Sequence, residues 1–533
     1  MNFFSVAALT LSAALAQEPA PTPKPADAQP PRGLVKTSEK ASPGYTLIAP
    51  LQSFSTYLVD LAGKIVHEWK SDSTPGNSVE LLDNGNLLRT ERLDNTVFRG
   101  GGQGGRVREI DWDGKVVWEY VCSDEKQMQH HAVERLPNGH VLVIAWERKT
   151  GAEAVAAGRD AVSVGGNEFW PDMLLEIEPT RPAGGKVVWE WHAWDHLIQD
   201  LDAKQANFGD VAKNPGRIDI NADHRPAVLS AKEREELAGL RKLGYASGGD
   251  DKDQGGPPNG MRGGDWMHTN AVDYNPALDV IVLSICNLNE LWIIDHSTTT
   301  AQAKSSSGGR YGKGGELLYR FGNPANHRAG SGGDQRTFGQ HDAQWIGAGL
   351  PGAGHMLVFN NGTSTKHAGS SVDELALPSS ESALREGFAA ATELAWTYTD
   401  PGISSGHISG AQRLSNGDTL ICVGETGRVV EVTPKGEVVW DYLNALGGDL
   451  PIGGPGGFRG GRDGQGPPPD RGRRGPPPGF GRGPGGPGGP GGMGRMDMQH
   501  GLFRAPRYAP DFAGLARLGA TTEAKAPATP SKN

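Results

Sequence analysis

The chain has 533 residues, carries 52 Lys+Arg against 62 Asp+Glu, and has a net charge of −10. That balance excludes binding to phosphate backbones by bulk charge, so no nucleic-acid partner is expected. The three cysteines Cys122, Cys286 and Cys422 stand too far apart for a zinc pattern or a disulfide framework, and each sits in or beside an apolar run. They are expected as buried thiols, with one disulfide as the alternative in an oxidising compartment.

At the N-terminus, Phe3 to Leu15 is apolar and Ala14-Leu15-Ala16 has the form of a signal-peptidase site. Residues 1–16 therefore read as a secretory signal peptide. The stretch is too short to span a bilayer as a helix, so the mature chain is expected to be secreted or periplasmic and not membrane-bound. Residues 17–42 follow as a Pro/Ala-rich linker.

From residue 43 to 513 the chain repeats itself. One phrase is a strand, a Gly turn and an apolar strand ending in aromatic and acidic residues. Its copies are Asp60-Leu-Ala-Gly-Lys-Ile-Val-His-Glu-Trp69, Asp111-Trp-Asp-Gly-Lys-Val-Val-Trp-Glu-Tyr120, Gly185-Lys-Val-Val-Trp-Glu-Trp191 and Thr433-Pro-Lys-Gly-Glu-Val-Val-Trp-Asp-Tyr442, with weaker ones at Glu393 to Tyr398 and Gly315 to Phe321. A second phrase is a hairpin with turns such as Asn84-Gly85, Asn138-Gly139 and Asn416-Gly417. Asn-Gly between apolar runs predicts a tight hairpin with φ > 0 at both central residues. Two hairpins per repeat make a four-stranded sheet, and five or six such sheets predict an all-β fold, a six-bladed β-propeller forming one domain. A stacked β-sandwich is the alternative. The strand near Tyr45-Thr-Leu-Ile-Ala49 is expected to complete the last blade, around Gly501 to Ala505, and close the ring.

Two insertions interrupt the pattern. Residues 200–263 contain Leu229 to Leu243, where Ser230 as a cap, early acids, late bases and Leu at helical spacing predict a helix. Residues 446–495 are dominated by Gly, Pro, Arg and Asp, cannot bury a core, and are expected to be disordered, as is a flexible tail over 514–533.

The chemistry-bearing residues are histidines at the entrance to the second hairpin: His131, with His130 beside it, His268, His341 and His407; His500 precedes the last strand. If that strand is innermost, they line one mouth of a central channel. Each alone reads as a polar residue bonded to a neighbouring blade; together they predict a shared pocket. Clustered imidazoles suit nucleophilic and acid–base work or a metal site, and crowding keeps some of them neutral.

The words Asp265-Trp-Met-His268-Thr-Asn-Ala-Val, Gln340-His341-Asp-Ala-Gln and His407-Ile-Ser-Gly-Ala-Gln-Arg-Leu-Ser-Asn-Gly, with Trp292-Ile-Ile-Asp-His296 and Phe359-Asn-Asn-Gly362, resemble the arylsulfotransferase family. The resemblance runs from about residue 45 to 510 and skips the Gly/Pro insertion. It implies a six-bladed propeller that transfers a sulfuryl group from a phenolic sulfate ester to a phenol, with no nucleotide donor and no cofactor. It implies that His407 carries the group as a sulfohistidine while His341 and His268 support it. The family's catalytic Arg follows the Phe-Asn-Asn-Gly word, whereas here that stretch reads Thr363-Ser-Thr-Lys366-His367. Lys366, Arg413, Arg89 and Arg504 are the cations left to take its place, and Lys366 offers a point charge rather than a fork.

Catalysis is thus expected from His407, His341 and His268, and substrate binding from His131, Lys366, Arg413 and Asn361, with no metal. Two other functions remain open: a metal-dependent hydrolase or lyase built on the same histidines, and a non-catalytic propeller that binds partners or glycans. Oligomeric state is not fixed by the sequence.

Overall fold

The protein is described by a computed structural model over residues 31–164, 167–223, 264–364, 367–448 and 498–518. The expected signal peptide, the helix expected after Ser230, Lys366, most of the Gly/Pro/Arg insertion and most of the tail lie outside the described residues.

Six sheets form six blades. Their strands, from the innermost outward, are as follows. Blade 1 has Arg507–Tyr508, Tyr45–Ile48, Ser55–Val59 and Ile65–Lys70. Blade 2 has Pro75–Leu81, Leu87–Arg92, Gly105–Ile110 and Val116–Val121. Blade 3 has Gln127–Arg135, Val141–Glu147, Asp172–Pro179 and Gly185–His192. Blade 4 has Thr269–Asn275, Val280–Ile285, Glu290–Asp295 and Tyr319–Phe321. Blade 5 has His341–Trp345, Met356–Asn360, Ser371–Ala376 and Glu393–Thr399. Blade 6 has Gly410–Arg413, Thr419–Val423, Arg428–Val432 and Val438–Leu443. The innermost strands of blades 2 to 6 lie side by side in chain order.

The apolar runs follow from this stacking. Strand side chains alternate between faces, and both faces of a blade are covered by neighbours. Val280 and Val282 pack toward blade 5, while Ile281 and Leu283 pack toward blade 3. Each seam between blades holds its own apolar cluster, and each fully buried aliphatic in it contributes about 1.5–3 kcal/mol.

The recurring aromatic has a structural reason. At matched positions on the outermost strand, a ring N–H or O–H reaches an outer residue of the following blade. His67 Nε2 donates to Trp112 O (3.0 Å), Trp118 Nε1 to Gly184 O (2.8 Å) and Trp189 Nε1 to Thr298 Oγ1 (3.1 Å). Tyr319 Oη donates to Ala390 O (3.1 Å), Trp396 Nε1 to Pro434 O (3.0 Å) and Trp440 Nε1 to Leu61 O (2.8 Å). The repeat phrase is therefore a pin between blades, passed around the whole ring.

The Asn-Gly turns differ from expectation. Gly85, Gly139 and Gly417 have φ of +82°, +88° and +90°, but the preceding asparagines are not left-handed. Gly85 N–H donates to Leu82 O and Leu82 N–H to Asn86 O, both at 2.8 Å. This is a type I turn closed by a left-handed glycine. It is stabilised by Asn84 Oδ1 accepting the Asn86 N–H at 2.9 Å, a bond the asparagine makes from the right-handed region.

Ring closure joins the two ends of the chain. Tyr45 and Thr46 pair with Tyr508 and Arg507, so the N-terminal strands complete the blade begun near the C-terminus. Arg507 ion-pairs with Glu431 of blade 6 at full burial and lies 4.4 Å over the Trp440 ring. Gly33–Thr37, inside the span read as a linker, pairs along Val438–Leu443 as a fifth strand of blade 6. The outer edge there has unpaired backbone groups that any extended segment can satisfy.

Candidate active site

The innermost strands of blades 4 to 6 begin with a break in extended backbone, and that of blade 3 has its break at His131, inside Gln127–Arg135. Non-glycine residues there take left-handed φ: His131 at +52°, His268 at +55°, Asp342 at +54°, Ile408 at +50° and Ser409 at +87°. Such conformations cost on the order of 1–2 kcal/mol each and persist where surrounding contacts enforce them. In blades 3 and 4 the left-handed residue is the histidine itself; in blades 5 and 6 it follows the histidine. The four histidines thus share one mouth of the ring but reach it by two backbone routes.

The histidine rings lie close together. The His131 and His268 rings meet edge to face, with centroids 4.5 Å apart. His130 stacks on Trp146 at 4.2 Å, and its Nδ1 lies 2.8 Å from His131 Nδ1. Its Nε2 lies 3.2 Å from Asp172 Oδ1. A glycine loop from blade 2 covers this pair. Gly102 O accepts the His131 N–H at 2.8 Å, and a Cβ at Gly102 would overlap the His131 ring.

Blades 5 and 6 are tied together through His341. Its Nδ1–H donates to Asn361 Oδ1 (2.8 Å) and Gly339 O (2.9 Å), while Nε2 accepts the Ile408 N–H at 3.2 Å. Asn361 Nδ2 donates to Ser405 O (2.9 Å) and Ile408 O (3.0 Å). The left-handed Ile408, next to His407, is therefore held at both its N–H and its C=O. Burial, with repulsion from His268 and His407 added and opposed by the Asn361 bond, lowers the His341 pKa to about 3. His341 is neutral near pH 7.

Two histidines have carboxylate partners. His268 Nδ1 donates to Asp265 Oδ2 at 2.5 Å, and Asp265 Oδ1 also accepts the Trp146 Nε1–H at 3.0 Å. Burial works against protonation of His268, but the charge of Asp265 and their hydrogen bond outweigh it and raise its pKa. His407 Nδ1 donates to Glu425 Oε1 at 2.5 Å. The side chain of His407 is 40% exposed, the most open of the four. Burial opposes charge on Glu425, yet the bond from His407 keeps its pKa below the usual value.

Further along the innermost strands of blades 2, 3 and 4 lie Glu80, Glu134 and Asp273, grouped electrostatically around Arg504. Burial raises Glu80 to about 7 and Asp273 to about 6, with Arg504 pulling the other way. Arg504 Nε lies 2.6 Å from Asp342 Oδ1, its guanidinium sits 5.0 Å from the Phe503 ring, and its charge helps depress His131 after burial and the neighbouring histidines. Its buried Nη2 has no hydrogen-bond partner among the described residues.

The expected site residues are thus distributed as follows. His407, His341, His268 and His131 converge at one mouth, and Asn361 joins two of their loops. Arg413 stands at the far end of its strand, beside the Asn416-Gly417 turn, with Nη2 on Glu374 Oε2 at 2.6 Å. Arg89 is buried against Glu91 at 2.6 Å. Arg504 is the arginine at the histidine cluster. Asp265, Glu425 and Asp172 escaped the sequence reading. Glu425 follows its histidine by 18 residues and Asn361 follows His341 by 20, because the turn after the second strand returns to the same mouth. Among the described residues, no group of three or more His, Cys, Asp or Glu is placed to hold a metal ion. The cysteines are unpaired thiols, and burial pushes Cys122 up to about 12.

The model of the arylsulfotransferase (ASST) family matches residues 35–386. The chain belongs to the arylsulfotransferase family. The matched span contains His268 and His341 and ends before His407. No curated protein matches the chain. Among solved structures, a protein of unknown function from Bacteroides caccae is similar at 12% identity and a TM-score of 0.38, over 75% of this chain and 94% of that one. The β-propeller domain of Myceliophteria thermophila Cps50 (Swd1) has 12% identity and a TM-score of 0.35, over 77% and 89%. Virginiamycin B lyase from Staphylococcus aureus, in a catalytically inactive form with quinupristin, has 8% identity and a TM-score of 0.34, over 78% and 88%.

Proposed function

We propose that this arylsulfotransferase moves a sulfuryl group from a phenolic sulfate ester to a phenol, with His407 carrying the group between them, and that it works outside the cytoplasm after removal of residues 1–16. The observation that supports it most is the His407 side chain. It is open to solvent, its Nδ1 is engaged by Glu425, and its Nε2 makes no hydrogen bond to the described residues. In the reaction, His407 Nε2 attacks sulfur and the S–O bond to the phenol breaks. The electron pair leaves on the phenolate oxygen. The raised pKa of His268 favours its protonated form, which suits donation of a proton to that oxygen. The second half runs in reverse: His268 takes the proton of the acceptor phenol, whose oxygen attacks the sulfohistidine. Two steps through a covalent intermediate give ping-pong kinetics.

The unpaired Nη2 of Arg504 supplies a donor for a non-bridging sulfuryl oxygen. It stands in for the arginine missing after the Phe-Asn-Asn-Gly word. The test is release of 4-nitrophenol from 4-nitrophenyl sulfate, with and without added phenol. Release that rises with phenol, vanishes in His407→Ala and drops at least tenfold in Arg504→Ala supports the reading. No release with any phenol tested overturns it for this substrate class.

A further inference from the structure

Glu425 has no place in the family resemblance, yet it makes the shortest polar contact to the exposed histidine. It sits in the turn that follows Thr419–Val423, and that turn is fixed from several sides. Gly424 N–H donates to Ser409 Oγ at 2.9 Å, and Leu502 N–H donates to Gly424 O at 3.0 Å. On the other side, Ser405 Oγ donates to the carbonyl of His407 itself at 2.9 Å. Both partners of the 2.5 Å contact are thus mounted on tied-down backbone. The groups facing the His407 ring are Glu425 on Nδ1 and, through charge, His341 from blade 5. His341 is itself immobilised by the Ile408 N–H on its Nε2.

We infer that Glu425 is a positioning residue that holds His407 as the Nδ1–H tautomer and aims Nε2 at sulfur, so that the sulfuryl group is carried on Nε2. This rests on the proposed role of His407. The chemistry of imidazole gives the reason. A neutral ring has one protonated and one bare nitrogen, and only the bare one has a lone pair in the ring plane with which to attack. A carboxylate on Nδ1 decides which nitrogen that is. It also stabilises the positive charge that develops on the ring when Nε2 bonds to sulfur. On attack, the Nε2–S bond forms, the S–O bond breaks with its electron pair on the phenolate, and the Nδ1 proton stays between the ring and Glu425. When the acceptor phenol takes the group, the ring returns to the same neutral tautomer.

The experiment has two readouts on the full chain. The first is the 15N spectrum of histidine-labelled protein without substrate, with His407 assigned by its loss in His407→Gln. The wild type is expected to show Nδ1 protonated and Nε2 bare, and Glu425→Ala is expected to shift population to the Nε2–H form. The second is turnover of 4-nitrophenyl sulfate. Glu425→Ala is expected to lower kcat roughly 10²-fold while KM for the donor changes less than threefold, with Glu425→Asp recovering part of the loss. Glu425→Gln keeps the shape of the side chain and guards against a folding defect. An unaltered tautomer in Glu425→Ala, or full kcat in both Ala and Gln variants of an otherwise active enzyme, overturns the role of Glu425. If wild type is inactive while the tautomer shifts as expected, the proposed reaction fails and the positioning stands.

Discussion

At the scale of single residues, the loops that carry the site are tied together by one side-chain amide. Asn361 uses both ends of its amide to join His341, Ser405 and Ile408. Asn361→Ala removes these bonds and leaves the buried Ile408 carbonyl without its donor, at a cost of about 1–3 kcal/mol. It also frees the left-handed Ile408 to relax, moving His407. Expected outcomes are a Tm lowered by several degrees and a kcat reduced at least tenfold, measured by calorimetry and nitrophenol release. Gly102→Ala introduces a Cβ where the His131 ring lies and is expected to abolish most activity. The pH dependence of stability has a definite sign here. The His341 pKa is lowered from 6.5 to about 3 in the folded state, so between those values the unfolded chain binds more protons. Stability is then unaffected above pH 6.5 and falls as pH drops toward 3. His341→Gln is expected to flatten that acid limb in urea titrations. The histidines were visible in the sequence, since a repeat marks its own departures. Glu425 was not, because its distance along the chain from His407 has no meaning until the hairpin is folded.

At the scale of elements, the blades are held by apolar seams and by polar pins across them. His296 of blade 4 bonds Glu176 of blade 3 at 3.0 Å and Asp279 at 2.8 Å, while Glu176 also holds His140 at 2.6 Å. Burial disfavours charge on both His296 and Glu176, but their partners prevail, raising His296 to about 9 and lowering Glu176 to about 2. The His296 contribution is complete below pH 6.5 and is lost as pH rises through about 9. The Glu176 contribution is present above pH 4.5 and is lost as pH falls through about 2. His296→Gln is expected to destabilise the protein at pH 7, on the order of 2–3 kcal/mol, with the deficit shrinking above pH 9. Equal deficits at pH 7 and pH 10 would refute that assignment. The aromatic phrase belongs to this scale as well. It located the hairpins from sequence, but its purpose, a ring N–H donated to the next blade, needs the next blade in place. Trp440→Phe is expected to lose the bond to Leu61 O and about 1–2 kcal/mol.

At the scale of the whole molecule, closure matters most. Arg507 of blade 1 and Glu431 of blade 6 are both fully buried. Removing one partner of such a pair leaves the other charged without compensation, at about 3–5 kcal/mol. Arg507→Met is expected to open the seam between blades 6 and 1, lowering Tm and turnover together. Removal of residues 31–38, by contrast, strips only the outer fifth strand and is expected to leave turnover near wild type. Blade 6 also carries His407, beyond the span matched by the family model. The stacking of blade 6 on blade 5 brings that histidine beside those of blades 3 to 5.

The amino-acid sequence by itself determined the blade count, the hairpins and the histidines of the inner strands. Each of these is a local pattern: period-two apolarity, turn residues and a repeated phrase. The turn type, the fifth strand of blade 6, the remoteness of Arg413, the arrival of Arg504 at the histidines and the pairing of His407 with Glu425 were decided only by tertiary structure. Each depends on groups distant in sequence meeting at one mouth of a ring, and on burial that sets which of them keeps its proton.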